Sequence, residues 1–112
     1  MIDDFKTIHR IGNKRGTGEL ILTDSIRNYK FLFVSFGYYE SGFPCFGCSL
    51  IPVYIVVVTG ESAYSFRVNA SDTNSNTDNI IPHYSAFYFL SPSKVKIFSI
   101  SDQNRYTTFM VL

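Results

Sequence analysis

Tyr-Lys-Phe-Leu-Phe-Val-Ser-Phe-Gly-Tyr-Tyr, at residues 29–39, has the β-branched and aromatic content of a strand, with no proline and no helix former beyond Lys30 and Leu32. Successive strand side chains alternate, so Tyr29, Phe31 and Phe33 share one face while Leu32, Val34, Phe36 and Tyr38 share the other. Both faces are apolar. A second run, residues 50–59, repeats the property, with Ile51, Val53, Ile55 and Val57 opposed by Tyr54, Val56 and Val58. Strands greasy on both sides usually lie in sheets that helices cover. This chain offers no amphipathic helical period of useful length.

Working outward, residues 5–11 read as a first strand, and the glycines at 12, 16 and 18 suit a long hairpin tip leading to a short strand at 19–23. Asp24 or Ser25 could cap a helix, but the next strand follows too closely and a turn is expected over 24–28. Residues 63–69 alternate cleanly, with Tyr64, Phe66 and Val68 facing in and Ser65, Arg67 and Asn69 facing out. The wholly polar residues 71–79 read as an exposed loop, and strands at 84–90, 95–100 and 106–112 complete the chain. About eight strands at this spacing predict an all-β, antiparallel β-sandwich in a single domain spanning 1–112, with a jelly-roll-like order among the arrangements open to it.

A sandwich of this size has one inner face per sheet, so one side of each central strand should meet water. Exposing Phe31 and Phe33, or Tyr54 and Val56, leaves an apolar patch that soluble monomers rarely carry. Association of copies covers such a surplus most simply, and a homo-oligomer is expected; the alternative is that loop 40–49 folds back over the outer face.

A net charge of +1 over 112 residues, with charged residues at only 17%, gives no footprint for nucleic acid, and no apolar run approaches the length of a membrane helix. The N-terminal Met-Ile-Asp-Asp-Phe has neither the basic nor the apolar region of a secretory signal. Cys45-Phe-Gly-Cys48 is a lone pair; zinc would need further ligands, and His9 and His83 are single and far apart. A thioredoxin-like pair needs a helix N-terminus inside a βαβ unit. Two small reduced thiols are therefore expected, or a local disulfide in an oxidising exterior. Asp3 with Asp4, and Asp72 with Asp78, lack an apolar pocket to separate their pKa values for acid/base work, and His83 reads as a surface or strand-start residue. No catalytic residue, metal or cofactor is expected.

Binding remains. Residues 38–46 combine stackable rings with a carboxylate, and residues 71–79 supply amides and carboxylates; Tyr38, Tyr39, Glu40, Phe43, Phe46, Asp72, Asn74 and Asn76 are the candidate ligand-binding residues.

A glycine, a short strand ending in Leu-Thr, a polar turn, a Tyr-x-x-Leu-x-Val run and a late Val-x-Ile-x-x-Ile strand occur here as Gly18, Leu20, Leu22, Thr23, Ile26, Tyr29, Leu32, Val34, Val95, Ile97 and Ile100. This pattern resembles the C-terminal receptor-binding (tip) domains of bacteriophage tail fibres. The resemblance implies a homotrimeric β-structured piece of a longer fibre protein, carried on the virion after synthesis in the host cytoplasm. It also implies attachment to a bacterial surface polysaccharide or outer-membrane protein. Some such tips hold axial metal through paired histidines, which this chain lacks. The alternatives are a structural or assembly protein of the virion, such as a baseplate or capsid-decorating sandwich, and a lectin-like carbohydrate-binding module.

Overall fold

Eight strands form two antiparallel four-stranded sheets in the computed structural model, which describes residues 8–40, 47–56, 65–74 and 76–112, the side chain of Asn74 excepted. β1 (His9–Arg15), β8 (Tyr106–Val111), β3 (Phe31–Gly37) and β4 (Gly47–Pro52) make the first sheet, in the order β1-β8-β3-β4. β2 (Gly18–Ile21), β7 (Lys94–Ile100), β6 (Asn79–Ser91) and β5 (Phe66–Asn74) make the second, in the order β2-β7-β6-β5. The expected all-β sandwich is therefore the architecture. β8 inserted between β1 and β3, and β7 beside β2, are jelly-roll neighbours, whereas β3–β4 and β6–β7 stay together as plain hairpins.

Alternation along each strand builds the core. Leu32, Val34 and Phe36 from β3, Phe109 and Val111 from β8, Val68 from β5, Phe87 and Phe89 from β6, and Val95 and Ile97 from β7 are all buried. Phe109 meets Phe87 edge-on at a ring separation of 5.1 Å and Phe89 at 6.4 Å, joining the sheets through aromatic contacts of favourable geometry.

Several local expectations give way. Gly12 is the site of a bulge inside β1 rather than the start of a hairpin tip, and Asn13, Lys14 and Arg15 continue the pairing with β8. β1 and β2 consequently lie in different sheets. The second apolar run pairs with β3 only as far as Pro52, and residues Val53–Ile55 turn into a 3₁₀ helix. That turn breaks the two-residue period: Val53 and Val56 are buried, whereas Tyr54 and Ile55 are exposed. Residues 57–59, like residues 5–7, lie outside the described set. The polar stretch 71–79 is mostly strand, because β5 runs to Asn74 and β6 begins at Asn79, paired as a two-stranded ribbon. Polar side chains suit a ribbon solvated on both sides as well as they suit a loop, so composition could not separate the two.

The predicted excess of apolar surface is smaller than expected. On the outer face of the first sheet Ser35, Thr108 and Met110 are buried within the single chain, and β8 is covered on both sides. Phe33 is half-buried. Among the described residues, what stays open is Phe31, Leu50, Tyr54 and Ile55 on one side, Tyr38 and Tyr39 past the end of β3, Ile80 and Ile81 on the ribbon, and Ile21 and Phe98 on the second sheet.

Candidate functional site

Two places collect functional side chains, at opposite ends of the sandwich. At the first, the inward-facing series of four strands runs out of hydrophobes and turns polar. The inward series of β3 continues from Phe36 to Tyr38, that of β5 from Ala70 to Asp72, that of β6 from Ser85 back to His83, and that of β8 from Thr107 back to Arg105. Thr107 and Ser85 share a buried hydrogen bond of 2.7 Å, the last layer before the charged one.

Arg105 is the centre of that layer and is only 1% exposed. Its Nη2 donates to Asp72 Oδ2 at 2.7 Å and to the Tyr38 hydroxyl, and lies 3.3 Å from His83 Nε2. Its Nε donates to Asp102 Oδ2 at 3.3 Å, and its guanidinium stacks 3.9 Å from the centre of the Tyr38 ring. A buried guanidinium survives only if it is paired, and two carboxylates meet that need. The Arg105 hydrogen bond holds the Asp72 carboxyl below its ordinary range, against the opposing effect of burial. Asp102 is lowered first by the backbone N–H of Asn104, with Arg105 adding to it.

His83 also places Nδ1 3.3 Å from Ser101 Oγ and Nε2 3.0 Å from Asp72 Oδ2, a Ser-His-Asp sequence of contacts. The groups are committed elsewhere. Ser101 Oγ accepts from the backbone N–H of Tyr84 at 2.9 Å and donates to its carbonyl at 3.3 Å, while Asp72 is shared with Arg105. An activated nucleophile needs a base whose orienting carboxylate serves it, and here that carboxylate neutralises an arginine.

The second place is a cleft of about 510 Å³ lined by Arg27, Tyr29, Lys30, Phe31, Pro52, Val53 and Tyr54. Its walls are made by short-range chemistry. Ser25 caps the 3₁₀ helix Ile26–Asn28 by accepting from the Arg27 N–H. Asp24 accepts from the Tyr29 hydroxyl at 2.6 Å, from Asn28 Nδ2 at 2.9 Å and from the Ser25 N–H at 2.8 Å. The Tyr29 hydrogen bond is the main reason the Asp24 carboxyl lies below its ordinary range, and the same bond raises the Tyr29 phenol. Arg27 donates through Nη1 to the Val53 carbonyl at 3.0 Å and through Nη2 to the Val56 carbonyl at 2.7 Å. These bonds clamp the 3₁₀ helix Val53–Ile55 and hold Tyr54 outward, 85% exposed. Phe31, opposite Pro52 in the β3–β4 register, stands beside it at 36% exposure. A second cavity of about 450 Å³, lined by Asn28, Tyr29, Lys30, Phe31 and Leu112, shares Tyr29, Lys30 and Phe31 with the first.

Of the candidate residues read from sequence, Tyr38 and Asp72 meet at Arg105, although they come from segments 38–46 and 71–79. Tyr39 is exposed, and the Glu40 carbonyl accepts from Arg10 Nη1 at 2.9 Å. Asn76 lies exposed in the turn of the β5–β6 ribbon, and the backbone of Asn74 pairs with Asn79 at its end. Phe43, Phe46 and Cys45 lie outside the described residues. Cys48 is exposed on β4. Among the described residues no three His, Cys, Asp or Glu side chains are grouped to hold a metal ion, and no helix is long and apolar enough to cross a membrane. Arg105, Asp102 and Arg27 were not singled out from sequence, and Tyr29 and Tyr54 entered there only as scaffold residues. The parity of β8 would have pointed to Arg105, but no local signal marks the 3₁₀ turn that brings Val56 inward and puts Ile55 outside. No family, no curated protein and no solved structure matches the chain.

Proposed function

We propose that this chain is a non-enzymatic recognition module, the host-binding tip of a bacteriophage tail fibre, which attaches to a bacterial surface glycan or outer-membrane protein. The observation that carries this reading is the aromatic cleft. Tyr54 is almost fully exposed on a turn whose flanking carbonyls, those of Val53 and Val56, accept two arginine hydrogen bonds, so the backbone that presents its ring is preorganised. Sugar rings and protein epitopes both bind such rigid aromatic faces. The commitment of Ser101 and Asp72 to structural bonds supports a role without catalysis.

The module acts as a homo-oligomer, a trimer in the fibre-tip reading. Support comes from the isoleucines left open on the ribbon and on β2: Ile21 is 74% exposed, Ile80 69% and Ile81 47%. The same ribbon favours the second reading, a virion assembly part whose partner is another virion protein, since an extended hairpin is well placed to dock.

Sedimentation of the purified chain with whole bacteria separates these readings. A recognition tip is carried down with at least one strain and is released from cells stripped of their surface polysaccharide or protein. An assembly part ignores cells throughout. Light scattering on the same sample gives the oligomer, and a clean monomer counts against the fibre tip.

A further inference from the structure

We infer that the cleft at Tyr29, Phe31 and Tyr54 takes a carboxylate-bearing saccharide, a uronate-type glycan; this rests on the recognition reading above and names its ligand. The lining supplies two cations, Arg27 and Lys30, and no acid. Among the described residues no carboxylate pairs with Lys30: its backbone N–H donates to the Leu112 carbonyl at 3.0 Å and its carbonyl accepts from the Val53 N–H at 2.9 Å, while its side chain is exposed. Those two bonds fix the main chain that carries the ammonium. Arg27 spends two N–H groups on Val53 and Val56, which leaves three of its five donors. The nearest acid in sequence, Asp24, is turned to Tyr29, Asn28 and Ser25 and does not line the cleft.

The arrangement of rings and cations sets the ligand's chemistry. Aromatic faces bind the apolar face of a pyranose, which is chemically neutral and would alone accept any sugar. A carboxyl group on the ring carbon projects from the ring's edge, in the plane of the stacked sugar, and meets cations beside the platform rather than beneath it. Lys30 lies between Tyr29 and Phe31 in the chain, Arg27 two residues before Tyr29, and both line the cleft that the rings line. Charge-assisted hydrogen bonds from an ammonium and a planar guanidinium then discriminate acidic from neutral sugars.

The test is calorimetric titration of the intact chain with an oligogalacturonate, with its carboxyl-reduced neutral counterpart, and with a phosphodiester-linked glycan. The expected result is binding of the oligogalacturonate at least tenfold tighter than its reduced form, weakening as salt is raised. Lys30→Gln lowers that affinity about tenfold, the size expected for one charge-assisted contact, and leaves the neutral form unaffected. Tyr54→Ala lowers the affinity for both. Lys30 and Tyr54 are exposed, so both variants fold, as their melting curves will show. Equal binding of the reduced sugar overturns the inference and leaves the recognition reading standing. Preference for the phosphodiester glycan over the uronate also overturns it. Binding of none of the three overturns it as well, and the sedimentation with cells decides the recognition reading separately.

Discussion

Arg105, the residue before β8, donates through Nη2 to Oδ2 of Asp72 on β5 across 2.7 Å, so that an ion pair crosses from one sheet of the sandwich to the other. Removing one member of a buried pair leaves the other uncompensated. Arg105→Ala is therefore expected to lower the unfolding free energy by about 3 kcal/mol. Urea denaturation measures this directly, and an unchanged midpoint would show that the pair is dispensable.

The same pair sets the acid limit of stability. Asp72 and Asp102 are both held below their ordinary pKa in the folded chain. Their stabilisation is present above the unfolded carboxylate value, roughly pH 4, and is lost as pH falls from there through the lower folded values. Melting temperature is expected to be flat on this account from neutral pH to about pH 5 and to drop below pH 4. Asp72→Asn should start lower and fall less steeply over that acid window; a parallel curve would remove Asp72 from the cause.

Gly47 opens β4 where it lies against β5 of the other sheet. A Cβ there would lie 2.0 Å from the carbonyl oxygen of Asn69 and 3.0 Å from the Ala70 Cβ. Because the obstacle is backbone, Gly47→Ala must push β4 away from β5, at a cost of about 1 to 3 kcal/mol. Thermal melting checks it, and a variant as stable as the parent would mean that this edge is loosely packed.

The architecture was legible from alternation and strand spacing. Leu32, Val34 and Phe36 of the face that also held Tyr38 are buried, while Tyr38 is exposed; of the inward set read for residues 63–69, Val68 is buried, Phe66 is half-buried and Tyr64 lies outside the described residues. What the alternation could not supply was where it stops. Val53–Ile55 breaks the period through a 3₁₀ turn stabilised by Arg27, a residue more than twenty positions away, and Ile55 and Val56 exchange sides as a result, while Tyr54 keeps the outward place that alternation gives it. Gly12 looked like a turn because glycine usually marks one, yet its lack of a Cβ serves close packing against Leu22, whose Cδ2 would lie 2.5 Å from a Cβ at that position. Tyr38 and Asp72 were chosen separately as loop residues; that they share Arg105 depends on the register of four strands, which only long-range pairing determines.

In the proposed function the cleft around Tyr54 is the binding surface. Tyr54 is 85% exposed, so Tyr54→Ala should change stability by no more than about 0.5 kcal/mol. The decisive measurement is cell binding of Tyr54→Ala beside the parent chain, by flow cytometry on a bacterial strain that the parent labels. At least a tenfold loss of labelling with an unaltered melting temperature is predicted; labelling equal to the parent's would contradict the claim.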